Sequence, residues 1–163
     1  MSADNLDERF NSVVEGLTFD DANENTDGPY FCLVDGHLHV NIPEHLGAVI
    51  AVIADDVACS ARELDAFTAF ECAPQVHDNE TNQAQFAMSY GPQIVASNVA
   101  DLEAVACINQ HDTVELSVGF QWCRGLNMMR LLMARAEQGG AVPPGPRALC
   151  DAVLSELLEA ILD

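Results

Sequence analysis

The sequence predicts an α+β fold in which helices pack an antiparallel sheet in the order helix-β-β-β-helix-β-β-helix, with an extra C-terminal helix. Three observations predict it. Two alternating apolar and polar runs, Tyr30 to Val34 and His37 to Ile42, meet across Asp35-Gly36, a dipeptide suited to the positive backbone angles of a tight hairpin turn. Stripes at helical spacing open the chain and fill its last third. Apolar types make up 49% of 163 residues and charged types 20%, which is enough apolar material for one buried core and too little for two.

Leu6, Phe10, Val13, Val14 and Leu17 recur at i, i+4, i+7, i+8 and i+11, so the chain should open with an amphipathic helix. The segment from Thr18 to Gly28, with Asp20, Asp21, Glu24 and Asp27, reads as a solvated loop. In the hairpin's second strand Leu38, Val40 and Ile42 should face inward and His37, His39 and Asn41 outward, because side chains alternate along a strand. Gly47 to Ala54, rich in Val and Ile, reads as a third and more buried strand. Ser60 and Glu63 have capping-box spacing, and Leu64, Phe67 and Phe70 follow before Pro74, giving a second helix from Ser60 to Ala73.

Ala84 to Tyr90, with Phe86, Met88 and Tyr90 on one face, and Gln93 to Val99 read as two further strands joined through Gly91-Pro92. Asp101 to Ile108 reads as extended chain or loop. Asp112 and Glu115 mark an N-terminus, and Val114, Val118, Trp122, Leu126, Met129 and Met133 form the stripe of a long helix from Asp112 to Gln138. Residues 1–138 then form the main domain. Residues 139–163 hold a breaker-rich linker, Gly139 to Pro146, and an amphipathic helix from Leu149 to Leu162, expected to be a separable element.

Against 26 Asp and Glu stand six basic residues, all Arg, for a net charge of -20. Direct binding to nucleic acid or insertion into a membrane is therefore not expected, since nucleic acids and anionic membranes attract a basic footprint. The acidity fits three roles: solubility, the holding of basic partners, or imitation of nucleic acid. The acidic start and the nine-residue maximum apolar run, Leu46 to Ala54, point to a soluble cytoplasmic chain. Six cysteines without a Cys-x-x-Cys pair fit reduced thiols used as small apolar residues.

No phosphate-cradling glycine loop is present, and there is no Lys to serve one. Ala87 to Gly91 comes within one residue of a nucleophile elbow but reads as a hairpin turn. His37 and His39, with His45 or Glu44, could approach a metal, yet no recognised ligand spacing is completed, and a solvated strand face is expected. Trp122, Met128, Met129 and Met133 fit either an adaptable peptide-holding surface or plain core. No catalytic residue, cofactor or metal is assigned.

In element order, small size and acidity the chain resembles the class I type III secretion chaperones. The residues that carry the resemblance are the stripe Leu6 to Leu17, the hairpin Tyr30 to Ile42, the strand Gly47 to Ala54, the helix Ser60 to Ala73, the strands Ala84 to Val99 and the helix Asp112 to Gln138. With its extra C-terminal helix it looks more like the broad-specificity Hrp-type effector chaperones. The resemblance implies a homodimer that binds the N-terminal region of secreted effector proteins and presents it to the type III export ATPase or export gate, without catalysis. By matching elements, it implies a dimer face at Leu64, Phe67 and Phe70, and cargo-holding surfaces at Leu38, Val40, Ile42, Val49, Phe86 and Met88. The alternative, from a different class, is an acidic inhibitor that imitates DNA and occupies a nucleic-acid-binding enzyme.

Overall fold

Alternation along residues 30–42 does make the hairpin. In the computed structural model, which describes residues 28–63, 76–138 and 145–163, β1 (Phe31–Val34) pairs antiparallel with β2 (His37–Val40). Asp35 and Gly36 carry φ of 51° and 78°, the two consecutive positive angles that this turn requires. Leu38 is fully buried and Val40 half-buried, whereas His37 is exposed, so the strand shows the expected faces. The expected opening helix and Leu64, Phe67 and Phe70 lie outside the described residues.

The remaining strands fall elsewhere. The third strand of the sheet is β3 (Thr113–Glu115), which pairs with β2 so that Val114 lies opposite Leu38, giving the order β1-β2-β3. That pairing overrides the capping signature at Asp112, and the long helix starts only at Leu116. Gly47 to Ala54 is not a strand but part of α1 (Glu44–Glu63). The inward residues Val49, Ile50, Ile53, Ala54, Ala58 and Ala61 keep a helical period over four turns, and burial of that face outweighs the strand preference of Val and Ile. Ser60 consequently lies within the last turn of α1 and starts no new helix.

Ala84 to Tyr90 and Gln93 to Val99 are likewise not strands. They run without a break through α2 (Glu80–Ala106), which also takes in most of the segment expected to be extended, Asp101 to Ile108. Asn79 caps it: its side-chain oxygen accepts from the amides of Thr81 (2.9 Å) and Asn82 (3.2 Å). Pro92 sits inside the helix on an exposed side and forgoes the bond to the Met88 carbonyl, a loss that solvent can make good there. A short 3₁₀ turn, Ile108–Gln110, leads to β3, and α3 (Leu116–Gln138) and α4 (Gly145–Leu162) complete the chain.

Consecutive helices pack side by side, α1 on α2, α2 on α3 and α3 on α4, with α4 also against β1. An arginine-to-acid bridge lies at each of these helix junctions: Arg62 to Glu103, Arg124 to Asp101 and Arg130 to Asp151. At the second junction Asp101 is only 5% exposed, and the guanidinium grips both its oxygens, at 2.9 and 3.0 Å. Such a fork satisfies a carboxylate that would be costly to bury alone. Gly125 is the point of closest approach: a Cβ there would lie 2.5 Å from the Asp101 carbonyl oxygen.

Trp122 anchors the core. Its ring lies 6.3 Å from that of Phe31, and its indole N–H donates to the Ala104 carbonyl at 3.0 Å, so burial leaves no polar atom of the ring unsatisfied. Leu126, Met129 and Met133 are buried beside it, so this stripe is core and not a peptide-holding face; Met128 is half-buried. Cys150, Val153, Leu154 and Leu157 put one face of α4 into the same cluster. Burial there pushes the Cys150 thiol up to about 12, with the Asp151 charge adding to the effect.

Candidate functional site

Sequence and packing divide α2 into unlike halves. The helix has 27 residues against 20 in α1, roughly 40 and 30 Å of length. Beyond Pro92, Asp101, Leu102 and Val105 are buried, while before it only Ala87 and Gly91 are. The N-terminal half therefore carries large apolar side chains that the core does not cover, including Met88 at 81% exposure and Tyr90 at 53%.

Here the residues form a groove of about 330 Å³, lined by His77, Asn82, Gln85, Phe86, Ser89 and Tyr90. Helical spacing explains the set, since 82, 85, 86, 89 and 90 recur on one face. Phe86 and Tyr90, one turn apart, hold their ring centroids 5.1 Å apart, and His77 meets Phe86 edge-on at 5.9 Å. His77 is placed by a local device: the Gln83 side-chain oxygen accepts from the amides of Val76 and His77, both at 3.0 Å. Val76, 55% exposed, extends the apolar surface at this end.

The lining sets aromatic rings beside amide and hydroxyl groups, an arrangement suited to holding an apolar side chain while hydrogen-bonding the backbone that bears it. No family model, curated protein or solved structure matches the chain. The geometry of this surface therefore carries the functional argument by itself.

The six residues expected to hold cargo do not converge. Leu38 and Val49 belong to the interior, with Val40 and Ile42 packed half-buried against it. Phe86 stands in the groove, but Met88 does not share its face: two residues along a helix turn a side chain by about 200°, whereas two along a strand return it to the same side. The expected grouping of Phe86, Met88 and Tyr90 thus becomes the pair Phe86 and Tyr90. His77, Asn82, Gln85 and Ser89 were assigned no such role from sequence. The signal for them was Asn79 as a helix cap, which fixes the phase of everything after it.

His37 Nδ1 lies 3.2 Å from the Asp35 carbonyl and His39 Nδ1 lies 3.4 Å from the Thr113 hydroxyl, while His45 is exposed on α1. Among the described residues no group of three or more His, Cys, Asp or Glu is arranged to hold a metal ion. Ala87 to Gly91 lies within a continuous helix, which lacks the strand-to-helix turn a nucleophile elbow needs. No helix among the described residues is long and apolar enough to cross a membrane.

Proposed function

We propose that this chain is an acidic, non-catalytic holding protein that binds a segment of a partner polypeptide in the groove on the first half of α2. The observation that carries the reading is the aromatic pair of half-buried Phe86 and exposed Tyr90, built onto a part of the helix that the core leaves largely uncovered. Large apolar side chains in such a position cost solubility unless something binds them. The strong acidity supports the same role, since it keeps a complex with an unfolded partner from self-associating.

The reading retains the functional half of the resemblance to type III secretion chaperones: a cytoplasmic carrier, in dimeric form, for the N-terminal region of a secreted effector, passed on to the export machinery. It does not retain the architectural half, because the segments matched to the third, fourth and fifth strands are helices. The test is retention of a permanently unfolded model polypeptide at low and moderate salt. The chain should keep it from aggregating, and Tyr90→Ala should lose that effect while keeping its far-ultraviolet circular dichroism. Equal protection by wild type and Tyr90→Ala would remove the groove from the function.

A second reading has one observation in its favour. With Arg62, Arg124 and Arg130 paired to acids on neighbouring helices, half of the six basic residues are already neutralised by the protein's own carboxylates and the surface field is acidic, as a DNA-imitating inhibitor requires. Such an inhibitor would engage a folded basic enzyme, and moderate salt would displace it; polypeptide held by aromatic contacts would stay bound.

A further inference from the structure

We propose that the segment held in the α2 groove is basic: an aromatic side chain anchored against Phe86 and Tyr90, flanked by Lys or Arg. This rests on the groove being a polypeptide site, and it adds the partner's chemistry. The groove lies at the N-terminal end of α2, where a helix dipole ordinarily favours anions. Here that end is already answered. Asn79 accepts from the amides of Thr81 and Asn82, and the exposed carboxylates of Asp78 and Glu80 flank the cap.

No Lys or Arg occurs between Arg62 and Arg124, and these two are engaged by Glu103 and Asp101. An incoming acidic segment therefore meets like charge, whereas a basic one meets the exposed carboxylates of Asp78 and Glu80 at the same end of the helix. The rings favour the same sign, because the faces of Phe86 and Tyr90 attract a cation and the edge of a further aromatic ring. The polar lining of Asn82, Gln85 and Ser89 offers hydrogen bonds to a backbone without adding charge.

Three labelled peptides of one length test the proposal by fluorescence anisotropy with the full chain: Phe flanked by Arg, Phe flanked by Asp, and Ala flanked by Arg. The Arg-flanked Phe peptide should bind, and each of the others should be about tenfold weaker or worse. Tyr90→Ala should reduce binding about tenfold, and Asp78→Asn with Glu80→Gln about threefold, with a smaller response to salt. Tyr90 is half-exposed and both acids are exposed, so these variants should keep the wild-type circular dichroism. If the Asp-flanked Phe peptide binds as well as the Arg-flanked one, the basic assignment is overturned and the groove stays a polypeptide site. If neither Phe peptide binds, both fall. If the Ala peptide binds equally and Tyr90→Ala changes nothing, the attraction is diffuse and the aromatic anchor is refuted.

Discussion

Gly125→Ala is the sharpest perturbation of the helix packing. The added methyl would lie 2.5 Å from both the Asp101 carbonyl oxygen and Val105 Cγ2, and 3.0 Å from the Asp101 carbonyl carbon. Comfortable carbon contacts begin near 3.5 Å, so α2 and α3 would have to part by about 1 Å. The Val105 methyl can turn aside, but the carbonyl is fixed in the helix ladder. Overpacking of this kind costs about 1–3 kcal/mol, and loosening the neighbouring Arg124 fork adds to it. The gain in helix propensity from Gly to Ala returns about 1 kcal/mol. A net loss of about 2 kcal/mol should lower the melting temperature of a chain this size by about 4–8 °C. Urea and thermal unfolding followed by circular dichroism measure it, with Gly119→Ala as control. There the nearest atoms are Leu38 Cδ2 at 3.1 Å and Ile161 Cδ1 at 3.4 Å, both free ends of side chains that can give way. The control should stay within about 1 kcal/mol of wild type. A Gly125→Ala protein as stable as wild type would refute the close-approach argument.

Two further outcomes follow from α4. Its Cys150 thiol is pushed from an ordinary value of 9.0 to about 12, so the fold favours the neutral form. That stabilisation is complete below pH 9 and is lost as pH rises towards 12, at about 1.4 kcal/mol per unit within the window. Cys150→Ala should lose less stability than wild type between pH 8 and about pH 10.5 in thermal scans, and parallel losses would sink the assignment. Deleting residues 139–163 should abolish cooperative unfolding, because it uncovers the buried contacts of Cys150, Val153, Leu154 and Leu157. At about 1.5–3 kcal/mol for each large apolar side chain, that loss is comparable to the whole stability of a domain, and a retained sigmoidal melt would show the helix to be separable after all.

What the sequence made legible is what local chemistry fixes. Asp35-Gly36 demands a turn with positive φ, and alternation on either side supplies the strands, so the hairpin was readable to the residue. The stripe containing Trp122, Met129 and Met133 was readable because its period continues over about four turns, although Val114 at its head belongs to β3. Gly47 to Ala54 was not, because a short apolar run serves equally as a buried strand or as the inner turns of a helix, and only Ala58 and Ala61 beyond it reveal the longer period. Gly91-Pro92 misled for a related reason. A proline ends most helices, but one on an exposed face of a long, well-capped helix loses a single bond that water can replace. The groove was half visible: Phe86 and Tyr90 were grouped, but with strand phase, and the wrong phase brought Met88 in and left His77 and Ser89 out.

The charge and the fold are connected through the arginines. A chain at -20 repels itself on folding, and the repulsion is greatest where acidic helices are brought side by side. Placing Arg62, Arg124 and Arg130 at the three successive helix junctions relieves it there, and the Asp101 fork does so with its carboxylate buried. The consequence is felt outside. With those positive charges turned to acids of the same molecule, the field that reaches solvent is dominated by unpaired carboxylates, and any approaching polypeptide is sorted by sign at a distance of about a Debye length, roughly 8 Å at physiological salt. Sorting by shape comes later, at the rings of Phe86 and Tyr90. Salt should therefore slow the association of a basic partner far more than it speeds its release, because steering acts on encounter while aromatic burial acts on residence. Stopped-flow binding across a salt series separates the two rates. A dissociation rate that rises as steeply as the association rate falls would mean that ion pairs, and not the aromatic wall, hold the partner.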